Sequence, residues 1–200
     1  MPRVAAALIA IVCWAGIALQ FSATYSAQHD VLTTLWVLTR FFTIISNFAV
    51  AIAMTRIALG GRVSAFVLGG LTLAILLVGI VYLVLLRGLH SLSGNALLAN
   101  HLLHYVSPIA MAAYWLLFAS HGRLKWSAPL LWMLFPLTYF VYAIARGEID
   151  GRYPYPFLDV GRIGLALTIV NGCAIAAGFI PFGLGVVWLD RRLGRGQSSR

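Results

Sequence analysis

Acidic side chains are almost missing from this sequence: five Asp and Glu among 200 residues, against fourteen Lys and Arg. Charged residues of both signs make up only 10% of the chain, and hydrophobic ones 62%. A soluble domain is roughly a quarter charged and about half apolar. The shortfall excludes an ordinary soluble enzyme, and the apolar excess excludes a disordered chain. Lysine is reduced to Lys125; the other thirteen cations are arginines. Cysteine is limited to Cys13 and Cys173, both inside apolar runs. No disulfide framework follows from them, and both are expected as small buried residues. A net charge of +9 and a pI near 10.3 would suit nucleic acid. The arginines, however, stand singly or in pairs between long apolar runs, as in loops on the anionic face of a membrane. No nucleic-acid partner is expected.

What the chain has instead is hydropathy, with a mean of +0.93. A membrane-spanning helix needs about 20 mostly apolar residues. Six stretches qualify, at about 5–22, 33–59, 65–86, 96–119, 129–145 and 163–189. Short connectors at 60–62, 87–95, 120–127 and 146–162 carry most of the Gly, charge and turn residues. The expected fold is therefore all-α: a polytopic membrane protein with six transmembrane helices in one bundle. A single domain over 1–193 would be followed by a polar basic tail at 194–200. No internal repeat is evident. The stretch after Arg3 resembles a signal peptide only weakly, because Phe21 stands where a small residue is needed, so an uncleaved first helix is expected.

Cation placement gives the orientation. With the N-terminus inside, nine cations fall on the inner side: Arg3, Arg56, Arg62, Arg123, Lys125, Arg191, Arg192, Arg195 and Arg200. Four fall outside: Arg87, Arg146, Arg152 and Arg162. Both termini are thus expected to be cytoplasmic. The high Arg-to-Lys ratio and short loops point to a bacterial cytoplasmic membrane.

Polar groups within spans are costly and mark working sites by default. The second span holds Arg40, Thr43, Ser46 and Asn47, whose spacing puts them on one helical face. The fourth holds Asn100, His101, His104 and Ser107, with His101 at the edge of the stripe, and Pro108 follows. Both stripes would lie roughly 12–15 Å below the outer face at 1.5 Å per residue and would converge on one site. Each residue alone also has a structural reading: Thr and Ser bonding their own backbone, Asn47 joining helices, Arg40 reaching for headgroups. A metal or haem would need further donors, yet His29, His90 and His121 lie in connectors and no carboxylate lies in the second to fifth spans. No metal or cofactor is expected.

Three segments carry a resemblance. They are Arg40-Phe41-Phe42-Thr43, Asn100-His101-Leu102-Leu103-His104 with Pro108 after it, and Tyr155-Pro156-Phe157-Leu158-Asp159. Together they resemble the androgen-induced membrane hydrolases and their bacterial six-helix relatives. The resemblance implies an intramembrane threonine hydrolase that cleaves fatty acid esters of hydroxy fatty acids. By motif it implies Thr43 as nucleophile and His104 as its histidine, with His101 matching the first histidine of the run. Two departures stand out: Ser46 followed by Asn47 occupies the polar position after the threonine, and the loop Leu89 to Ser93 lacks the Tyr-Pro of the animal proteins.

The chemistry follows from the residue types. A threonine hydroxyl attacks an ester only when a base takes its proton, and a near-neutral imidazole serves. Asn47 or Asn100 would donate to the oxyanion, and Arg40 would hold a substrate carboxylate. The partner is then a membrane lipid or fatty acid ester. The connector with Glu148, Asp150 and Asp159 would cap the site, stiffened by Tyr153-Pro154-Tyr155-Pro156. Its acids would more readily pair with Arg152 and Arg162 than orient a histidine. Ser46 and Ser107 are reserve nucleophiles. The alternative from another class is a binding or transport protein for a lipid or small anion, with hinges near Gly172 and Pro181.

Overall fold

The structure, a computed structural model, describes residues 1–89 and 91–197. His90 and Arg200, placed above in a connector and in the tail, lie outside the described residues. The chain is 82% helix, with no strand among the described residues. Five helices are long and apolar enough to cross a membrane, and a bent pair makes a sixth if it counts as one span. Contacts divide the chain into two compact units, Met1–Ser120 and a second that begins at His121.

The first unit opens with α1 (Pro2–Gln28), longer at both ends than hydropathy predicts. His29 closes it in the left-handed region at φ 54°, its N–H donating to Tyr25 O. Asp30 then caps α2 (Val31–Leu38), accepting from Thr33 N–H at 2.7 Å, a bond that holds its carboxyl below the usual carboxylate range.

The second expected span is broken. After α2 the chain turns, and α3 (Phe42–Ala58) leaves at 95° to it. Local hydrogen bonding explains the turn. The Thr39 hydroxyl reaches back to Leu35 O at 2.9 Å, while Arg40 N and Phe41 N bond to Val37 O and Leu38 O in tight three-residue steps. Phe41 is extended, with φ −96° and ψ 129°. Arg40 therefore sits in the break, not on a helical face shared with Thr43. Thr43 is the second residue of α3 rather than part of one long unbroken helix, so the depth expected for it does not follow.

α4 (Ala65–Val81) is capped by Ser64 and ends in a π turn, Tyr82–Leu86. The next span begins as α5 (Gly94–His101), widens into a π turn at Leu102–Val106 and continues as α6 (Ser107–Phe118). In this unit α1 packs on α3 and α5, and α4 packs on α3 and α6. Gly16 of α1 permits the approach to the second π turn: a Cβ there would lie 2.6 Å from Leu103 Cδ2. Leu103 joins Leu38 and Ile44 in a buried cluster flanked by Ile17, Phe21 and Phe41.

The second unit begins with the short α7 (Ala128–Trp132), followed after Met133 by α8 (Leu134–Asp150). Pro136 has no N–H for Trp132 O, which accounts for the interruption. α8 extends past the expected end at 145, so Arg146, Glu148 and Asp150 belong to a helix rather than a loop. Two carboxylates thus lie on the fifth candidate span, where none was expected. Arg146 Nε lies 3.9 Å from Asp150, Tyr153 OH donates to Glu148, and Asp159 accepts from Arg162 N–H. The expected pairs with Arg152 and Arg162 side chains are replaced by these local bonds.

A single 3-10 turn, Pro156–Leu158, leads into α9 (Val160–Gln197). Its non-helical backbone lies at Gly164, φ 77° and ψ 155°, a conformation open to glycine. The expected breaks near Gly172 and Pro181 lie within helix. The expected tail is helical as far as Gln197, with Arg195 in the last turn, where the helix dipole favours cations. Cys173 is exposed rather than buried, because little of α9's apolar surface is covered; Cys13 is buried as expected.

Candidate active site

The site is assembled from the first turn of α3 and the π turn at Leu102–Val106. Thr43 Oγ1 lies 3.2 Å from His104 Nε2, and Thr43 is 7% exposed. His104 Nδ1 lies 3.2 Å from the backbone O of Asn100. A carbonyl only accepts, so Nδ1 carries the proton and Nε2 of the neutral ring is left as an acceptor. That acceptor meets the threonine hydroxyl, the arrangement a general base requires. A main-chain carbonyl thereby orients this imidazole.

Pro108 and the π turn set the neighbouring polar contacts. In the widened turn Ser107 N–H bonds to Leu102 O, five residues back. The next bond in that pattern would join Pro108 N to Leu103 O, but proline has no hydrogen to give. Leu103 O is taken up from the side instead: Asn47 Nδ2 donates to it at 3.2 Å, and Ser107 Oγ lies 3.1 Å away. Asn47 Nδ2 also donates to Thr43 O at 2.9 Å, and Asn47 Oδ1 accepts from Ser107 Oγ at 2.6 Å. Asn47 and Ser107 are fully buried. This network clamps α3 to the π turn and fixes Thr43 opposite His104.

The other residues singled out from the sequence divide clearly. Asn47 stands beside the pair, but both its amide hydrogens are engaged and none remains for an oxyanion. Ser107 is likewise held by Asn47 and Leu103. Ser46 is fully buried, and its Oγ has no hydrogen-bond partner among the described residues. Arg40 is 7% exposed, in the turn three residues before Thr43. His101 is not brought to Thr43; it is exposed, bonded through Nδ1 to Leu97 O at 2.8 Å and stacked on Tyr105. Asn100 reaches the site twice, through its carbonyl on His104 and through Nδ2, which donates to Tyr82 OH at 2.8 Å.

Tyr82 was not among the sequence candidates. Its ring stacks on His104, centroids 4.2 Å apart and planes 29° apart. Near the end of an apolar run it resembles an interfacial aromatic; its only distinguishing signal is a place in a π turn, a feature frequent at functional sites. The second unit holds another pair missed in the sequence. His121 Nδ1 lies 3.4 Å from Asp190 Oδ1, with side chains 3% and 1% exposed, and Asp190 Oδ2 accepts from Leu124 N–H. No group of three or more His, Cys, Asp or Glu side chains suited to a metal ion occurs among the described residues.

Comparison of the chain with protein-family models, with curated proteins and with solved structures finds no match.

Proposed function

We propose that this chain is a membrane lipid ester hydrolase with Thr43 as nucleophile and His104 as general base. The single observation that carries the reading is the 3.2 Å contact from Thr43 Oγ1 to the acceptor nitrogen of an imidazole whose other nitrogen is held by Asn100 O. The resemblance to the androgen-induced membrane hydrolases agrees with it at those same two residues. His104 takes the hydroxyl proton as Oγ1 attacks the ester carbonyl. It returns that proton to the departing alcohol, leaving an acyl-threonine. A water, deprotonated by the same imidazole, then releases the fatty acid. Position 2 of α3 adds the positive end of a helix dipole at the reacting centre.

The substrate class is a fatty acid ester, and an ester of a hydroxy fatty acid carries a free carboxylate that the Arg40 guanidinium would pair with. Six spans with both termini cytoplasmic, in a bacterial cytoplasmic membrane, complete the proposal; the bent pair α2 and α3 then counts as one span. The test uses the full chain in detergent with a fluorophosphonate probe and a long-chain acyl ester. Thr43→Ala should abolish labelling and turnover, and His104→Ala should lower both steeply, while the protein stays folded. A Thr43→Ala protein that still labels and hydrolyses would refute the assignment.

A further inference from the structure

An attack by Thr43 places a full negative charge on the former carbonyl oxygen, and a buried oxyanion without donors is prohibitively costly. Most donors near the pair are already engaged. Asn47 Nδ2 gives one hydrogen to Thr43 O and the other to Leu103 O. Ser107 Oγ gives its hydrogen to Asn47 Oδ1, and His104 Nδ1 gives its own to Asn100 O. One hydroxyl against the imidazole keeps its hydrogen: Tyr82 OH, which accepts from Asn100 Nδ2 and has no acceptor of its own among the described residues. The bond it receives polarises the O–H and makes it a stronger donor. The stack on His104 keeps the phenol beside the imidazole. Asn100 holds both catalytic rings at once, the imidazole through its carbonyl and the phenol through its amide.

We propose that Tyr82 is the oxyanion donor of this site and that Asn100 is the residue that positions it. The proposal rests on the hydrolase reading above. As the bond from Thr43 Oγ1 to the carbonyl carbon forms, the carbonyl π pair moves onto oxygen and the threonine proton moves to His104 Nε2. The Tyr82 O–H shortens its hydrogen bond to that oxygen without giving up its proton. On collapse the π bond re-forms, the ester C–O bond breaks, and His104 protonates the leaving alkoxide. The backbone N–H of Thr43, in the first turn of α3 where the helix supplies no acceptor, is the second donor.

Tyr82→Phe separates this role from simple packing, because it keeps the ring and its stack and removes only the hydroxyl. The full chain in detergent is assayed with 4-nitrophenyl decanoate. Binding is measured with a trifluoromethyl ketone bearing the same acyl chain, which Thr43 converts to a charged hemiketal, and with decanoate. Tyr82→Phe should lower kcat about 100-fold with KM within about threefold, since one oxyanion donor contributes on that scale. It should weaken the trifluoromethyl ketone by a similar factor and leave decanoate unchanged. Asn100→Ala, which keeps the backbone carbonyl on His104, should show the same split at about tenfold, and it carries the test if Tyr82→Phe does not fold. A Tyr82→Phe enzyme with kcat within threefold of the parent, or one that loses ketone and decanoate affinity equally, overturns the assignment. If turnover by the parent survives Thr43→Ala, the hydrolase reading itself fails and the Tyr82 role falls with it. Turnover that needs Thr43 but not Tyr82 removes the oxyanion assignment alone.

Discussion

His104 and His121 are both drawn into the protein, one in each compact unit, yet their partners differ. His104 stands between a carbonyl and a hydroxyl, neither charged, and one ring nitrogen is left as an acceptor facing Thr43. His121 stands against the carboxylate of Asp190, whose second oxygen is committed to Leu124 N–H. Asp190 O also accepts from Gly122 N–H, and Arg191 reaches Leu124 O. That second cluster ties the segment before α7 to the end of α9. A carboxylate beside a histidine is the arrangement usually searched for as catalytic. Here the histidine with the carboxylate sits in a set of bonds to backbone groups, and the histidine without one faces a hydroxyl.

The contrast can be broken most sharply by truncation. Thr43→Ala should remove ester turnover by at least about 1,000-fold, and His104→Ala by on the order of 10²–10⁴, with thermal melting little changed. Asp190→Ala should do the reverse. Leaving Leu124 N–H and His121 without their partner should cost about 1–3 kcal/mol of stability, read from denaturation, with turnover per folded molecule unchanged. Loss of turnover in Asp190→Ala at full stability would erase the distinction. The pH profile sharpens it further. Turnover should rise with pH as the His104 imidazole loses its proton and then level off, and His121→Gln should leave that limb in place.

Smaller effects are expected at the end of α8. A Cβ on Gly147 would collide with the Tyr153 ring, so Gly147→Ala should destabilise by about 1–3 kcal/mol without touching turnover. Tyr153→Phe removes the bond to Glu148, which is exposed, so the loss should stay below about 1 kcal/mol. That bond to Glu148 pushes the Tyr153 phenol from 10.0 up to about 12. The folded state therefore favours the protonated phenol, and its small contribution is present below pH 10 and fades as pH rises through 12. An ultraviolet titration of Tyr153 against the Phe variant reads this directly.

The apolar helices were legible because hydropathy reports what a membrane demands of every residue in a span. The polar pair was legible for the same reason, since Thr43 and His104 stand out against apolar neighbours. The break at Arg40 was not. It contains neither Gly nor Pro, its cap residue is Phe41, and it depends on Thr39 turning back onto its own helix. Asn47 had two readings, joining helices or donating to the oxyanion; its hydrogens go to two main-chain carbonyls, one of them left open by Pro108, and so it joins α3 to the π turn. The signal for Asp190 is its isolation, as the one acid near the end of the last apolar run.

The widened turn before Pro108 makes the aim of His104 a matter of counting. Each residue of a regular helix rotates the next by about 100°. Deleting one residue between Tyr105 and Ser107 would restore ordinary winding and leave hydropathy and composition almost untouched. It would also swing the imidazole by roughly a quarter turn, away from the threonine. Two chains indistinguishable in hydropathy would then differ in whether a hydroxyl meets an imidazole at all.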